Sequence, residues 1–439
     1  MIKHRLGSSV TVEVHGGARS IGGNCVVVRD EKSGFAVMLD QGLNFRAYTR
    51  YYGGYIEPHS LRDLYEVKAI PPPEAYEGVD AVFISHLHLD HLGALSMAEE
   101  QGVELYVPHV GILAELTESW EWSWRSILLP STGSAVDYAR SVKAWRGVVK
   151  PIRVNHSAYP SYAFLVETSE GVLLYTGDFR LDSPLRLLGE GAGTDTLKNM
   201  ESALSEHGGV DVLVIEGTNL GVTSNFVDSD TAVAVLRKLL ENYKKRVVFA
   251  TYHPLDVESF ALVARVLAEH GFTPVLLHER YAGVLDTALS ELGVSFNLYF
   301  YDVHSSAKRH GFRRIEYLGS TRSTKLEEAV ENSRVAVFLS YRAVDELRTL
   351  ANQGMNLHGA LLVQLTSEPH SEEYRLMEAR TGAWLSKLGV HSYRVRISGH
   401  YYPHQLSRIL EALKPREIIP VHTLHPEMLK PTPGGQLSQ

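Results

Sequence analysis

The sequence predicts an α/β fold with two domains, and three observations support this prediction. Short apolar strands separated by glycines follow one another between residues 10 and 40. After residue 231, amphipathic helices alternate with apolar strands, which is typical of βαβ units and a parallel sheet. Histidine and carboxylate side chains stand where strands end, both early and late in the chain. With 439 residues, the chain is long enough for two or three domains.

Strands dominate the first half of the chain. Three segments bounded by glycines predict a meander of hairpins, namely Val10–Val14, Asn24–Val28 and Phe35–Asp40. A helix is expected from Gly93 onward. Further strands are predicted at Ala81–Ile84, Leu105–Val107, Ala163–Val166, Val172–Tyr175 and Val212–Ile215.

The pattern changes after Glu216, where helices and strands alternate. Helices are predicted at Thr231–Tyr243 and Val257–His270, and strands at Arg246–Ala250, Pro274–Leu277, Val335–Leu339 and Ala360–Val363. Histidines at strand ends return at His400 and His422, so we expect this α/β unit to be inserted into the first domain. The predicted bounds are 1–217 and 388–439 for the first domain and 218–387 for the insertion.

Composition excludes several classes of protein. The chain is 44% apolar and 21% charged, which is typical of a globular protein rather than a disordered one. No apolar run reaches about 18 residues and the first residues lack the apolar region of a secretory signal, so we expect a cytoplasmic protein away from membranes. The single cysteine, Cys25, fits a reducing compartment and is expected to be buried in a strand. The formal charge of −8 disfavours nonspecific adhesion to nucleic acid but still permits a phosphodiester substrate, because divalent ions would supply positive charge in the cleft.

The most informative motif is His-x-His-x-Asp-His, formed by His86, His88, Asp90 and His91 directly after an apolar strand. His86 and His88 are expected to point the same way from an extended segment. Asp90 and His91 would face a second ion once the chain turns. Histidine and carboxylate are ordinary zinc ligands, and a catalytic zinc site keeps one position open for water. The motif therefore predicts two adjacent metal ions rather than a histidine-rich surface loop.

Other polar side chains stand at strand ends along the chain, and these are Asp40, His156, Asp178, His400 and His422. A carboxylate with two accessible oxygens is suited to bridging two cations. Asp178, which follows Gly177 in a turn, is the expected bridging residue.

Taken in chain order, these residues resemble the motifs of the metallo-β-lactamase fold, which is an αββα sandwich. Glu216, His400 and His422 are similar to the three additional motifs of its β-CASP branch, which contains ribonuclease J, the endonuclease of pre-mRNA 3′-end formation and the DNA nuclease Artemis. The pattern of Ser-Gly-His400 followed by Pro-Val-His422 resembles ribonuclease J more than the pre-mRNA nuclease. The resemblance implies a sandwich with an inserted β-CASP domain and a metal-dependent ribonuclease of RNA processing or decay. It leaves 5′–3′ exonuclease and endonuclease activity both open.

The resemblance also implies a role for each residue. One divalent ion, Zn²⁺ or alternatively Mn²⁺, would be held by His86, His88 and His156. The other would be held by Asp90, His91 and His422, with Asp178 bridging the two. The expected catalytic residues are Asp90, Asp40 as the residue that orients a ligand histidine, and the proton-donating pair Glu216 and His400. Two ions roughly 3.5–4 Å apart can share a hydroxide and clamp a phosphate oxygen, and His400 would then protonate the leaving oxygen.

Substrate-binding residues are expected in two segments. Ser340 and Arg342 follow a predicted strand, where the resemblance implies a phosphate-contacting loop, although a plain strand-ending turn is the alternative. Ser398 and Gly399 could offer a hydroxyl and an N–H group to a phosphate. Four tryptophans could stack on bases of the substrate, with packing on one face as the alternative, and these are Trp120, Trp122, Trp124 and Trp145. Single-stranded RNA is the expected partner. DNA is the alternative partner, and the formation of a homodimer is left open.

Three other functions fit part of the pattern. A thioester, lactone or lactam hydrolase would share the scaffold but would lack the inserted unit and the Glu216–His400 pair. A catalytically inactive scaffold subunit would be expected to have lost ligands, and here every expected ligand is present. A DNA nuclease carries the same motifs, and it stays open because nothing in the sequence reports on a contact to the 2′-hydroxyl.

Overall fold

The structure is a computed structural model that describes residues 1–53, 55–93, 95–119, 135–138, 145–146, 148–189, 193–221, 227–277, 281–295, 298–300, 315–317, 334–340, 342–365, 372–395 and 397–429. The chain forms two compact units. Unit 1 comprises Met1–Asp182, Thr194–Ser224 and Gly399–Gln439, and unit 2 comprises Ser183–Gly193 and Asn225–Ser398. The bounds predicted from the sequence fall somewhat before these breaks, and the assignment of domains stays a prediction.

The strands, in chain order, are β1 Ile2–Leu6, β2 Val10–Gly16, β3 Cys25–Asp30, β4 Phe35–Leu39, β5 Ala81–Phe83, β6 Glu104–Val107, β7 Ala135–Asp137, β8 Val149–Val154, β9 Ser161–Thr168, β10 Gly171–Tyr175, β11 Val212–Glu216, β12 Val247–Thr251, β13 Phe272–Leu276, β14 Leu298–Phe300, β15 Ile315–Tyr317, β16 Arg334–Leu339, β17 Leu361–Gln364, β18 His391–Arg394 and β19 Glu417–Val421.

The helices are α1 Phe45–Tyr51, α2 Leu61–Glu66, α3 Leu89–Leu92, α4 Leu95–Glu100, α5 Val110–Ser119, α6 Thr196–Ala203, α7 Ser229–Glu241, α8 Val257–Glu269, α9 Ala282–Glu291, α10 Ala343–Asn352, α11 Glu372–Leu388 and α12 Leu406–Leu413. Short 3₁₀ turns occur at Pro73–Tyr76, Pro184–Leu188, Pro403–Gln405 and Pro426–Leu429.

Unit 1 is built on two sheets that pack face to face. The first has the order β1-β2-β3-β4-β5-β6-β7, and the second has the order β19-β11-β10-β9-β8. Strands β1 to β4 are antiparallel neighbours, which confirms the predicted meander. Alternate residues of each strand face inward, so valines of the first sheet meet aromatic and aliphatic residues of the second in one core. That core includes Val12, Val28, Val37, Phe83, Phe164, Leu173, Val214 and Val421.

Helices cover the outer faces of these two sheets. Residues of α6 and α12, such as Leu197, Met200 and Ile409, form a second core with β8 to β11. On the first sheet, α4 contacts β6 and α5 contacts β7. The layers follow the order helix, sheet, sheet, helix. This order confirms the predicted fold class for unit 1.

Unit 2 is built on a single sheet with the order β15-β14-β13-β16-β12-β17-β18. Every neighbouring pair in it is parallel, as the alternation of helices and strands predicts. The observed bounds of α7, α8, β12, β13, β16 and β17 differ from the predicted ones by one to two residues. Buried side chains such as Phe249, Val337 and Leu347 form its core.

One detail differs from the expectation for the His-x-His-x-Asp-His segment. The helix begins at Leu89, before Gly93, with His88 as its N-cap residue. Asp90 and His91 therefore lie on the first turn of α3. The change of direction predicted for the chain is thus the start of a helix.

Two further expectations concern single residue types. Cys25 begins β3 and is buried, as predicted, and burial raises the pKa of its thiol. Trp145 packs edge-on against Phe83 with ring centroids 5.8 Å apart, which supports packing rather than base stacking. Trp120, Trp122 and Trp124 lie outside the described residues. Within the described residues, no helix has the length and apolar character that crossing a bilayer requires.

Candidate metal centre

The side chains of the centre come from the ends of strands. Strands β10, β11 and β19 are parallel neighbours, so their carboxyl ends meet at one edge of the second sheet. Asp40 and His422 come directly after β4 and β19, and both have positive φ angles, 60° and 48°. A positive φ is uncommon for such residues, and it turns each side chain away from the direction of its strand.

The structure brings together nine of the residues predicted for the site. Their ligand atoms form overlapping groups in which all atoms lie within 4.8 Å of one another. The groups are His86–His88–His156, Asp90–His91–His422, His86–His91–Asp178, Asp178–Glu216–His422 and His156–Asp178–His400. Asp178 belongs to three of these groups, which places its carboxylate at the centre of the cluster.

The first group has two histidines whose Nδ1 atoms are held by the protein. His156 donates its Nδ1–H to the carbonyl oxygen of Gly399 at 2.6 Å, and its Nε2 faces Nδ1 of His88 at 3.2 Å. Nδ1 of His86 lies 3.0 Å from the hydroxyl of Ser85. Because a neutral imidazole has one N–H, these bonds leave the Nε2 lone pairs of His86 and His156 for another partner.

The second group has the same arrangement. His91 donates its Nδ1–H to Asp40 at 2.6 Å, and its Nε2 lies 3.1 Å from Oδ2 of Asp178. His422 has Nδ1 at 2.7 Å from the Thr218 hydroxyl and Nε2 at 3.1 Å from Oδ2 of Asp90. In both histidines the Nε2 atom therefore faces a carboxylate oxygen.

Two buried atoms in the centre test whether a cation fits. Among the described residues, neither Nε2 of His86 nor Oδ1 of Asp178 has a hydrogen-bond partner. Buried polar atoms without a partner are costly in a protein interior, and a divalent cation would satisfy both. The residues present therefore fit the metal.

The charges of His86, His156, Asp90 and Asp178 agree with this interpretation, whereas Asp178 and Asp40 outweigh burial and hold the pKa of His91 well above its ordinary value. Burial and the neighbouring imidazoles hold the pKa of His86 and of His156 well below the ordinary value, so both rings are neutral. Burial alone would raise the pKa of Asp90 and Asp178, but the nearby histidines outweigh it and hold both values below the ordinary range. Neutral imidazole and ionised carboxylate are the protonation states that bind Zn²⁺ and Mn²⁺.

Asp40 holds several parts of the centre in place. Its carboxylate accepts hydrogen bonds from the Ser85 amide at 2.6 Å, the Ser85 hydroxyl at 2.7 Å, the Tyr175 hydroxyl at 2.6 Å and His91. Because the Ser85 hydroxyl donates to Asp40, it accepts from Nδ1 of His86. Asp40 thus orients His91 directly and His86 through Ser85.

Glu216 connects His400 to His422, which is a predicted ligand. Its Oε1 accepts from Nδ1 of His400 at 3.0 Å, and its Oε2 accepts from the Thr218 hydroxyl at 2.6 Å. The same hydroxyl accepts from His422, so Thr218 joins the Glu216 carboxylate to the His422 ring. Burial lowers the pKa of His400, but the Glu216 carboxylate outweighs this effect and the pKa lies above its ordinary value.

Sequence reasoning missed four partners in this network, which are Ser85, Tyr175, Thr218 and the carbonyl of Gly399. The sequence signal for Thr218 is a hydroxyl two residues after a strand-ending glutamate, and such a pair commonly forms a local side-chain to backbone turn. The other three carried no signal, because Asp40 is distant in sequence from Ser85 and Tyr175, and His156 is distant from Gly399.

The predicted substrate-binding residues have other contacts in the structure. In unit 2, the Ser340 amide donates to Glu346 at 2.9 Å, and the Ser340 hydroxyl donates to the same carboxylate. Arg342 is the N-cap residue of α10, and its amide donates to the Ser340 hydroxyl. In unit 1, a Cβ atom on Gly399 would lie 2.2 Å from the Ser157 hydroxyl, so the position requires glycine. Ser398 is buried. A substrate role for these four residues stays a prediction.

An αββα sandwich with clustered histidines and aspartates at its strand ends is the architecture of the metallo-β-lactamase fold, and that fold implies divalent metal ions. Residues 60–249 match the β-lactamase superfamily domain. The chain is 24% identical over 419 residues to ribonuclease J of Mycolicibacterium smegmatis, a match that covers 93% of this chain and 67% of that protein. It is 23% identical over 260 residues to ribonuclease J of Helicobacter pylori, covering 57% of this chain and 34% of that protein.

Residues 60–249 therefore carry a β-lactamase superfamily domain, and the chain is similar to proteins named ribonuclease J. Its match spans about a third of the length of the Helicobacter pylori relatives, whose coverage is 34%. A protein of unknown function from Enterococcus faecalis V583 has a crystal structure with a TM-score of 0.69, 20% sequence identity and coverage of 98% of both chains. That similarity supports the fold.

Proposed function

We propose that this protein is a metal-dependent ribonuclease that hydrolyses phosphodiester bonds of RNA in the cytoplasm, in RNA processing or decay. The observation that carries the proposal is the position of Asp178, which groups with ligands of both clusters and with His400. The relatives named ribonuclease J support RNA as the substrate.

The ligand sets are those that the resemblance implies. His86, His88 and His156 would hold one ion, and Asp90, His91 and His422 would hold the other, with Asp178 between them. Zn²⁺ is the proposed metal and Mn²⁺ the alternative, since both accept nitrogen and oxygen ligands. When bound, the two ions supply Lewis acidity and an activated water for attack on phosphorus.

His400 is the proposed general acid. Its Nδ1 is held by Glu216, so Nε2 is the nitrogen that would carry a transferable proton. The His400 side chain is 18% exposed whereas Glu216 is fully buried, so only the histidine can reach a substrate. The carboxylate stabilises the charged imidazolium, which then protonates the leaving ribose oxygen.

The test is cleavage of 5′-labelled single-stranded RNA and of matched single-stranded DNA by the purified full chain with added Zn²⁺ or Mn²⁺. We expect RNA cleavage. Release of mononucleotides would indicate 5′–3′ exonuclease activity, and internal fragments would indicate endonuclease activity. The variant His88→Ala should lose cleavage, and His404→Ala, an exposed histidine outside the cluster, should keep it.

Two outcomes would overturn the proposal. Cleavage of DNA alone would make the protein a DNA nuclease of the same fold. Turnover of only a chromogenic lactam or a thioester would make it a hydrolase of small molecules.

A further inference from the structure

An exposed surface rich in tyrosine and arginine lies in the segment 45–56. In the described residues, eight large apolar or aromatic side chains are exposed, and three of them, Tyr51, Tyr55 and Ile56, lie within six positions here. Tyr55 is fully exposed, at the tip of a turn closed by a bridge between Gly53 and Ile56. Such clustering of exposed aromatic groups indicates an interaction surface rather than scattered surface residues.

Helix α1 itself contributes little to the core. None of its seven residues, all of which the structure describes, is buried. The aromatic rings in and directly after α1 instead lie close to an arginine side chain or to one another. The guanidinium of Arg50 lies 5.6 Å from the centre of the Tyr51 ring, and the rings of Tyr48 and Tyr52 are 5.2 Å apart. Packing alone therefore does not account for these side chains.

The local charge is opposite to that of the whole chain. The segment 45–56 contains Arg46 and Arg50, and its nearest acidic residue in sequence is Glu57, which follows directly, whereas the full chain has a formal charge of −8. Both arginines are exposed, and within the described residues neither forms an ion pair with a carboxylate. A positive, aromatic surface on an acidic protein is complementary to a polyanion that has exposed rings.

Backbone contacts place the start of this segment beside the metal centre. The amide of Gln41 donates to the His91 carbonyl at 2.9 Å, and the amide of Leu43 donates to the Leu89 carbonyl at 2.8 Å. A Cβ atom on Gly42 would lie 1.6 Å from the carbonyl oxygen of Asp90, so this loop packs directly on the ligand-bearing helix. The next residue after Leu43, Asn44, caps α1.

We propose that Arg46, Arg50, Tyr51 and Tyr55, the tyrosine–arginine surface, bind the bases and phosphates of single-stranded RNA next to the metal centre. This inference rests on the proposed function, because it assigns a binding surface for the same substrate. Tyrosine rings stack on bases of any sequence, and arginines neutralise phosphates. Bases in a duplex are already stacked on one another, so the surface selects single strands.

The test is fluorescence anisotropy with the metal-loaded full chain and a 5′-labelled, phosphorothioate-linked oligouridylate that resists cleavage. Tyr51→Ala with Tyr55→Ala should raise the Kd about tenfold or more. Tyr51→Phe with Tyr55→Phe keeps both rings and should retain the affinity. Arg46→Gln with Arg50→Gln should reduce the slope of log K against log salt concentration by about 0.7 for each arginine, whereas the tyrosine variants should leave that slope unchanged.

A matched control lies elsewhere in unit 1. Ile2→Ala with Arg5→Gln removes one exposed apolar side chain and one exposed arginine from β1, and it should leave the Kd unchanged. An unchanged Kd in the tyrosine-to-alanine variant, or an equal loss of affinity for duplex RNA, would overturn the inference.

The outcomes separate this inference from the proposed function. If the wild-type chain cleaves RNA and the tyrosine variants bind normally, the tyrosine–arginine surface does not bind RNA and the proposed function stands. If the wild-type chain binds the oligouridylate through these tyrosines but cleaves no RNA, the surface binds RNA and the proposed function is wrong.

Discussion

Buried polar side chains at the metal centre of unit 1 and at the end of β16 in unit 2 have different kinds of partner. In unit 1, partners come from distant parts of the chain, such as His156 with Gly399, 243 residues apart, and Thr218 with His422, 204 residues apart. In unit 2, the buried Ser340 is satisfied by Glu346, only six residues away. The difference shows that unit 1 builds its site from distant parts of the chain, whereas β16 of unit 2 ends with a local cap. Substitutions at the metal centre of unit 1 should therefore lower activity more than the free energy of unfolding. Substitutions in the core of unit 2 should lower the free energy of unfolding more than the metal content.

The largest effect is expected at Asp178, which joins the ligand groups. Asp178→Ala removes the shared carboxylate, so the metal content should fall from about two ions per chain toward zero, and cleavage of RNA should be lost. Metal content is measured by elemental analysis of the purified variant after reconstitution.

Asp182 offers a matched control, because it is an exposed carboxylate in the same segment. Asp182→Ala should keep both metal ions and activity. Full metal content in Asp178→Ala would show that the two clusters are independent.

The next largest effect is expected at His400. His400→Ala should lower turnover by about 10²–10⁴-fold, the usual contribution of a general acid. The metal content should stay nearly intact, since the two ligand groups proposed for the ions do not include His400. The measurement is the rate of RNA cleavage per bound metal ion. A loss of metal that parallels the loss of activity would instead make His400 a metal ligand.

The comparison also shows how far sequence reasoning reaches. Six elements of unit 2, which are α7, α8, β12, β13, β16 and β17, were predicted to within two residues, because alternating apolar segments reflect local periodicity. The ligands of unit 1 were predictable as a set only through their motif order. The Ser85 hydroxyl and the Gly399 carbonyl were not predictable, because any serine or glycine offers the same atoms and only the tertiary structure selects these. Tyr51 and Tyr55 were missed because a spacing of four residues also suits a buried helix face.

In unit 2, Phe260→Ala tests stability without touching the metal centre. Phe260 is fully buried, and its ring lies 4.7 Å from that of Phe338. The lost packing and the cavity should cost about 3–5 kcal/mol of the free energy of unfolding, measured by urea denaturation. At a temperature where the variant is folded, metal content should equal that of the wild type. Metal loss from the folded variant would contradict the proposed difference between the units.

A smaller effect is expected from Thr218, which links Glu216 to His422. Thr218→Val keeps the shape of the side chain but removes the hydroxyl, so Nδ1 of His422 loses its acceptor. Such a change to a residue that orients a ligand typically costs 10- to 100-fold in metal affinity or activity, and we expect about 10-fold or more here. Thr218→Ser retains the hydroxyl and should retain metal affinity, measured by competition with a chelator. Equal affinity of the valine and serine variants would show that the hydroxyl has no role.

The smallest effect is expected at Asp30, a buried carboxylate of unit 1 outside the metal centre. Its oxygens accept from the amide and hydroxyl of Ser169 at 2.6 and 2.8 Å and from the amide of Ser33 at 3.0 Å. Burial alone would raise the pKa of Asp30, but these hydrogen bonds outweigh it and the pKa lies below its ordinary value. Asp30→Asn should therefore cost about 1 kcal/mol at neutral pH, without any loss of metal.

The sign of the pH dependence follows from that lowered pKa. The carboxylate is ionised in both the folded and the unfolded chain above about pH 5, so its full contribution to stability is present there. As the pH falls below about 4, the unfolded chain binds a proton first, and the contribution disappears as the pH passes through the folded pKa. The difference in thermal midpoint between wild type and Asp30→Asn, about 2 °C at neutral pH, should thus shrink toward zero at acidic pH. A difference that grows on acidification would mean that the folded carboxyl is protonated more readily than the unfolded one, and that its hydrogen bonds do not favour the charged form.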